Sequence, residues 1–149
     1  MKYYLAYGSN LSVEQMLVRC PDAVYVGYGW LEDRRLVFRR SYLTVEPKAR
    51  CRTPVLIWQV SSEDEKALDR YEGWPRFYRK ETVSLEAFSF INGAEIGTVD
   101  AFLYVMNDGF PMSRPTERYW NVCAEGYRRF GFDLRILEKA LEQVCRAEE

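Results

Sequence analysis

The run Thr53-Pro54-Val55-Leu56-Ile57-Trp58-Gln59-Val60 limits the possible folds of this chain more than any other stretch. It is nearly continuous in apolar character and short, which suits a central strand covered on both faces rather than an alternating surface strand. Such a strand needs neighbours beside it and layers above and below it. The chain has 149 residues, of which 48% are hydrophobic. That is enough to fill one core, and a single domain over residues 1–149 is expected.

The neighbours can be read along the chain. Met1 to Tyr7 is a buried strand that runs into Gly8-Ser9-Asn10, a tight polar turn. Ser12 and Gln15 have the spacing of a capping box, and Val13, Met16 and Leu17 form the apolar face of a short helix closed by Pro21. Ala23 to Leu31 is a strand carrying two glycines, bent or bulged, and Arg35 to Tyr42 is a less regular one. Past the central run, Ser62 and Glu65 predict a second capping box. It opens a helix through Glu72, with Gly73 as its stop. Phe77 to Phe88 and Ile96 to Met106 are strands joined across Asn92-Gly93. Asn107 to Pro115 is a loop. Thr116 to Phe130 suits a helix with Tyr119, Trp120, Val122, Cys123 and Tyr127 inward, broken by Gly131. Asp133 caps a last helix with Leu134, Leu137, Leu141 and Val144 along one seam.

The chain has no histidine. That removes Ser-His-Asp and Cys-His catalysis, histidine-bound zinc and the usual neutral-pH base. A proton must move through Glu, Asp, Lys, Tyr or Cys. The net charge of −1 gives no reason to expect a nucleic-acid or membrane partner, and no apolar run is long enough to span a bilayer. The basic residues between Asp33 and Arg52 fit either solvated edges and loops or a rim that draws small anions. Cys20, Cys51, Cys123 and Cys145 lie far apart, without a C-x-x-C pair, and read as reduced thiols of a cytoplasmic protein.

Two stretches carry candidate chemistry. At Tyr7-Gly8-Ser9-Asn10-Leu11 a strand turns sharply into a helix, which favours positive φ at Gly8. Backbone N–H groups at such a turn suit a carboxylate or an oxyanion, although a plain connection has the same local pattern. In Leu68-Asp69-Arg70-Tyr71-Glu72-Gly73, Leu68 and Glu72 are four apart and share the buried helix face. Burial and the negative helix end both raise the pKa of an inward carboxyl, towards that of a useful general base. An ordinary ion pair with Arg76 or Arg79 is the other reading.

These stretches, in order and followed by Tyr78, Tyr119 and the pair Glu125-Gly126, resemble the γ-glutamylcyclotransferase family, its AIG2-like members included. The resemblance implies an α+β fold, a small mixed β-barrel flanked by helices with a cavity between them. It implies that Gly8, Ser9 and Asn10 bind the glutamyl end of a small-molecule γ-glutamyl substrate, with Tyr7 and Leu11 on either side counted among the substrate-binding residues. It further implies that Glu72 is acid and base and that Tyr78 and Tyr119 line the pocket; Tyr119 also fits as a core aromatic. The family reaction turns a γ-glutamyl amide into 5-oxoproline and a free amine. The substrate's own α-amine attacks its γ-carbonyl, so no enzyme nucleophile, metal or cofactor is expected, and a chain without histidine can run it. The alternative is a non-catalytic binding or interaction module that retains the pocket.

Overall fold

The computed structural model describes residues 1–148. In chain order its elements are β1 (Lys2–Ala6), a 3-10 turn (Ser9–Leu11), α1 (Val13–Arg19), β2 (Val24–Arg39), β3 (Tyr42–Val60), α2 (Ser62–Glu72), β4 (Tyr78–Phe88), β5 (Glu95–Met106), α3 (Glu117–Phe130) and α4 (Leu134–Ala147). The strands close into a barrel in the order β1-β3-β2-β4-β5. It is a mixed barrel: β1 runs parallel to β5, and the other neighbours are antiparallel.

The apolar run over 53–60 is the C-terminal part of β3. It lies between β1 and β2, with Ile57 opposite Leu5 on one side and Gly27 on the other, and Thr53 through Trp58 are all buried. The strands expected over 23–31 and 35–42 are largely one element, β2, of 16 residues. Register shifts at Tyr25/Gly27 and Glu32/Arg34 absorb the polar break without ending it. At the second shift the Asp33 carboxylate accepts the Arg50 N–H at 3.1 Å. Tyr42 falls beyond the turn, as the first residue of β3.

The two glycines of β2 serve the closure. A Cβ on Gly27 would lie 2.4 Å from the Phe88 carbonyl oxygen, and one on Gly29 would lie 2.7 Å from that of Glu86. Only a bare backbone lets β2 come this close to β4, which it pairs at Tyr28 and Phe88. α3 packs on the Ser9–Leu11 turn and α4 on β2.

The helix stops are as expected: Gly73 and Gly131 follow α2 and α3 in the left-handed conformation, at φ 64° and 71°. The caps differ in detail. The capping box of α2 is made by Ser61 and Asp64, one residue before the Ser62–Glu65 pair, because Asp64 reaches back to the Ser61 N–H at 3.0 Å. Ser12 accepts the Gln15 N–H at 3.2 Å, but the Gln15 side chain turns to Arg19 instead of completing a box. Leu17 is 66% exposed, so Met16, fully buried, and Val13, partly buried, anchor α1 in the core. No helix among the described residues is long and apolar enough to cross a membrane.

Candidate active site

A cavity of about 310 Å³ lies where the turn after β1, the end of α2 and the inner faces of β4, β5 and α3 meet. Of the residues singled out from the sequence, Tyr7, Gly8, Ser9, Asn10, Glu72, Tyr78 and Tyr119 line it. Leu11 does not. Its side chain is fully buried under α3, so close to Gly126 that a Cβ there would lie 2.5 Å from that of Leu11. Leu11 therefore seats the turn against α3, and the expectation that it meets the ligand is corrected.

The side chains of the turn are occupied within the protein. The Asn10 Nδ2 donates to the Tyr4 hydroxyl at 2.9 Å, its Oδ1 accepts from Arg19, and its carbonyl accepts from the Trp58 indole at 3.1 Å. The Ser9 hydroxyl is 2.8 Å from that of Tyr71 on α2. The N–H groups of Gly8, Ser9 and Asn10 have no backbone partner among the described residues. Gly8 has φ −130°, not the positive φ expected. What requires glycine is space: a Cβ would meet the Tyr119 hydroxyl at 3.1 Å and Leu43 at 3.6 Å.

Glu72 sits in the last turn of α2, on the Leu68 face, and its side chain lines the cavity. Burial pushes its carboxyl up to about 8, against a smaller downward pull from Arg19. It is not the ion pair that was the other reading: Arg79 pairs with Glu81 at 3.1 Å and donates to the Met106 carbonyl. Neighbouring Asp69 is engaged elsewhere, with Lys80 at 2.8 Å and the Tyr104 hydroxyl at 2.6 Å. One of two adjacent helical carboxylates is thus neutralised and the other faces the cavity.

The tyrosines form the wall. Tyr7 donates to the Tyr104 carbonyl at 2.6 Å. Tyr78 donates to the Leu43 carbonyl at 2.8 Å, while the Tyr119 hydroxyl accepts the Leu43 N–H at 3.1 Å. Burial first, and the nearby Glu72 carboxyl next or later, raise the hydroxyl pKa values of Tyr4, Tyr7, Tyr78, Tyr104 and Tyr119, so these groups stay protonated. Tyr119 both lines the cavity and packs on the core, so its two readings coexist.

Sequence reasoning missed Tyr4, Tyr42, Tyr71, Phe77 and Tyr104, which also line the cavity. Tyr4 and Tyr104 gave no signal, because their strands are buried in unbroken runs there. The loop 107–115 contributes nothing to the lining and supports it from behind, with Phe110 edge-on to Phe77 at 5.2 Å. No basic residue of the Asp33–Arg52 stretch lines the cavity either: Arg39 pairs with Glu46, Arg34 with Glu81, and Arg52 stacks on Trp30.

The family model described as "Gamma-glutamyl cyclotransferase, AIG2-like" matches residues 4–128. Among solved structures, one called gamma-glutamyl cyclotransferase superposes with a TM-score of 0.74 at 22% identity, covering 93% of this chain and 85% of that one. An uncharacterized protein from Homo sapiens gives 0.75 at 21% identity, with the same coverages. An AIG2-like protein from Mus musculus gives 0.59 at 17%, covering 78% of this chain and 88% of that one. At such identities these likenesses show a shared fold. No curated protein matches the sequence.

Proposed function

This chain belongs to the gamma-glutamyl cyclotransferase, AIG2-like family, and on that premise we propose that it is an active enzyme of the same type. It converts a γ-glutamyl amide into 5-oxoproline and a free amine or amino acid, with Glu72 as general acid and base. The observation that carries this reading is the Glu72 carboxyl, pushed up to about 8 by burial, in one cavity with Gly8, Ser9 and Asn10, whose N–H groups have no backbone partner among the described residues.

The steps balance without help from outside. Glu72 takes a proton from the substrate's α-ammonium group, and the freed nitrogen attacks the γ-carbonyl to close a five-membered ring. The C–N bond to the leaving amine then breaks as Glu72 returns that proton to the leaving nitrogen. The ring nitrogen gives up its second proton through the same carboxylate to the departing amine, which leaves as an ammonium ion beside 5-oxoproline with its ring nitrogen neutral. Folding the substrate so that amine and carbonyl meet supplies an orientation effect worth up to about 7–11 kcal/mol in ideal cases. The turn's N–H groups hold the substrate carboxylate or the developing oxyanion; loss of one oxyanion donor costs roughly 2.7–4 kcal/mol in other enzymes. The chemistry needs no metal or cofactor. The four cysteines are free thiols, which supports a reducing compartment such as the cytoplasm.

The test is a screen of γ-glutamyl amides with detection of 5-oxoproline, run on the wild-type chain and on Glu72→Gln. Turnover by the wild type, reduced on the order of 10²–10⁴ in a folded Glu72→Gln protein, is expected. Binding without release of 5-oxoproline would instead identify a pocket-bearing module without catalysis.

A further inference from the structure

Arg19 ends α1, outside every motif read from the sequence, yet it touches both halves of the candidate site. Its guanidinium carbon lies 3.4 Å from the centre of the Tyr71 ring, a face-on stack on the residue next to Glu72. From the same planar head Nη1 donates to Asn10 Oδ1, and Nη2 is 3.4 Å from Gln15 Oε1. Tyr71 completes a closed path, because its hydroxyl meets that of Ser9. A single cation thus connects the turn that offers the N–H groups to the helix end that offers the carboxyl.

We propose that Arg19 is a positioning residue: it fixes the Gly8–Asn10 turn against the end of α2 and supplies the positive charge that acts on Glu72. The inference deepens the function proposed above and rests on it, but the physical linkage is measurable without turnover.

The groups around Glu72 leave Arg19 this role. Tyr4 of β1, Tyr7 of the turn, Tyr78 of β4, Tyr104 of β5 and Tyr119 of α3 are all neutral, their hydroxyls raised by burial. On α2, Asp69 is paired with Lys80, while Tyr71 lies under Arg19 and Arg70 is exposed at the cavity's edge. Arg19 is the cation that pulls the carboxyl downward against burial. Without it the cavity favours the protonated acid more strongly. A lysine at this position keeps the charge but loses the flat face for Tyr71 and the forked donors for Asn10 and Gln15.

The experiment follows the Glu72 side-chain carboxyl by carbon-13 NMR across pH in the wild type, Arg19→Met and Arg19→Lys. Glu72→Gln assigns the signal, and KM and kcat are measured on a γ-glutamyl amide that the wild type turns over. In Arg19→Met the Glu72 midpoint should rise by about half a unit to one unit, a threefold to tenfold change in proton affinity. In Arg19→Lys the midpoint should stay within a few tenths of wild type while KM rises about tenfold, the mark of a loosened turn beside an unchanged charge. An unmoved midpoint in a folded Arg19→Met protein overturns the inference, as does a wild-type KM in Arg19→Lys. A wild type that releases no 5-oxoproline but whose Glu72 midpoint shifts as stated refutes the proposed function and leaves the linkage standing.

Discussion

Glu72 lowers the stability of the fold, and the pH dependence of that effect gives it a measurable signature. Its pKa is about 8 in the folded chain and near 4.5 when unfolded. Between those values the unfolded chain has released the proton while the folded chain still holds it. The contribution of Glu72 to stability is therefore most favourable below pH 4.5 and falls as pH rises towards 8. Glu72→Gln removes this slope. The variant should match the wild type at pH 4.5 and exceed it at pH 8.5 by on the order of 2 kcal/mol, discounted for solvent in the cavity, as read from melting curves at the two pH values. The rate should move the other way, with kcat/KM rising with pH through an acid limb near 8, because the base must be ionised. Ser9 is a milder case. Its hydroxyl meets that of Tyr71, and its N–H has no backbone partner among the described residues, so under the proposed function the N–H is the group left for the substrate. Ser9→Ala should raise KM tenfold or less, about 1.4 kcal/mol at most, and leave kcat nearly unchanged.

Among the elements, the turn after β1 depends on the space at Gly8. Alanine there meets the Tyr119 hydroxyl at 3.1 Å, a contact that a small shift relieves. The branched methyls of valine would drive Tyr119 off the Leu43 N–H and the turn off Tyr119. Gly8→Ala should bind a γ-glutamyl amide within a few-fold of wild type. Gly8→Val should lose at least tenfold in affinity and melt lower, as calorimetric titration and thermal unfolding would show. The sequence pointed to glycine at this position for a backbone reason, and the structure supplies a steric one. Similar limits apply elsewhere. The Asp133 cap of α4, the glycine stop of α3 and the inward face shared by Leu68 and Glu72 were legible because local hydrogen bonding and helical period dictate them. The length of β2 was not, since bulges let a strand pass through Glu32-Asp33-Arg34. Arg19 and Tyr71 escaped notice because each reads as an ordinary surface residue at a helix end; their stack exists only once α1 and α2 lie side by side.

For the molecule as a whole, barrel closure brings β1, β3, β4 and β5 together around the site, while β2 completes the barrel without lining the cavity. Leu56 is fully buried in β3, paired with Ala6 on one side and Tyr28 on the other. Leu56→Ala should cost about 2–5 kcal/mol in denaturant unfolding, with turnover per folded molecule unchanged. The resemblance implied the barrel and its cavity, but not the way the cavity wall is locked. Tyr78 from β4 and Tyr119 from α3 hold the C=O and the N–H of Leu43 in β3, so three elements meet at one residue. A wall pinned in this way is already in its binding shape, and a ligand should meet no slow rearrangement. In stopped-flow mixing with a γ-glutamyl amide, tyrosine and tryptophan fluorescence should change in one exponential phase, its rate linear in ligand concentration and free of a plateau.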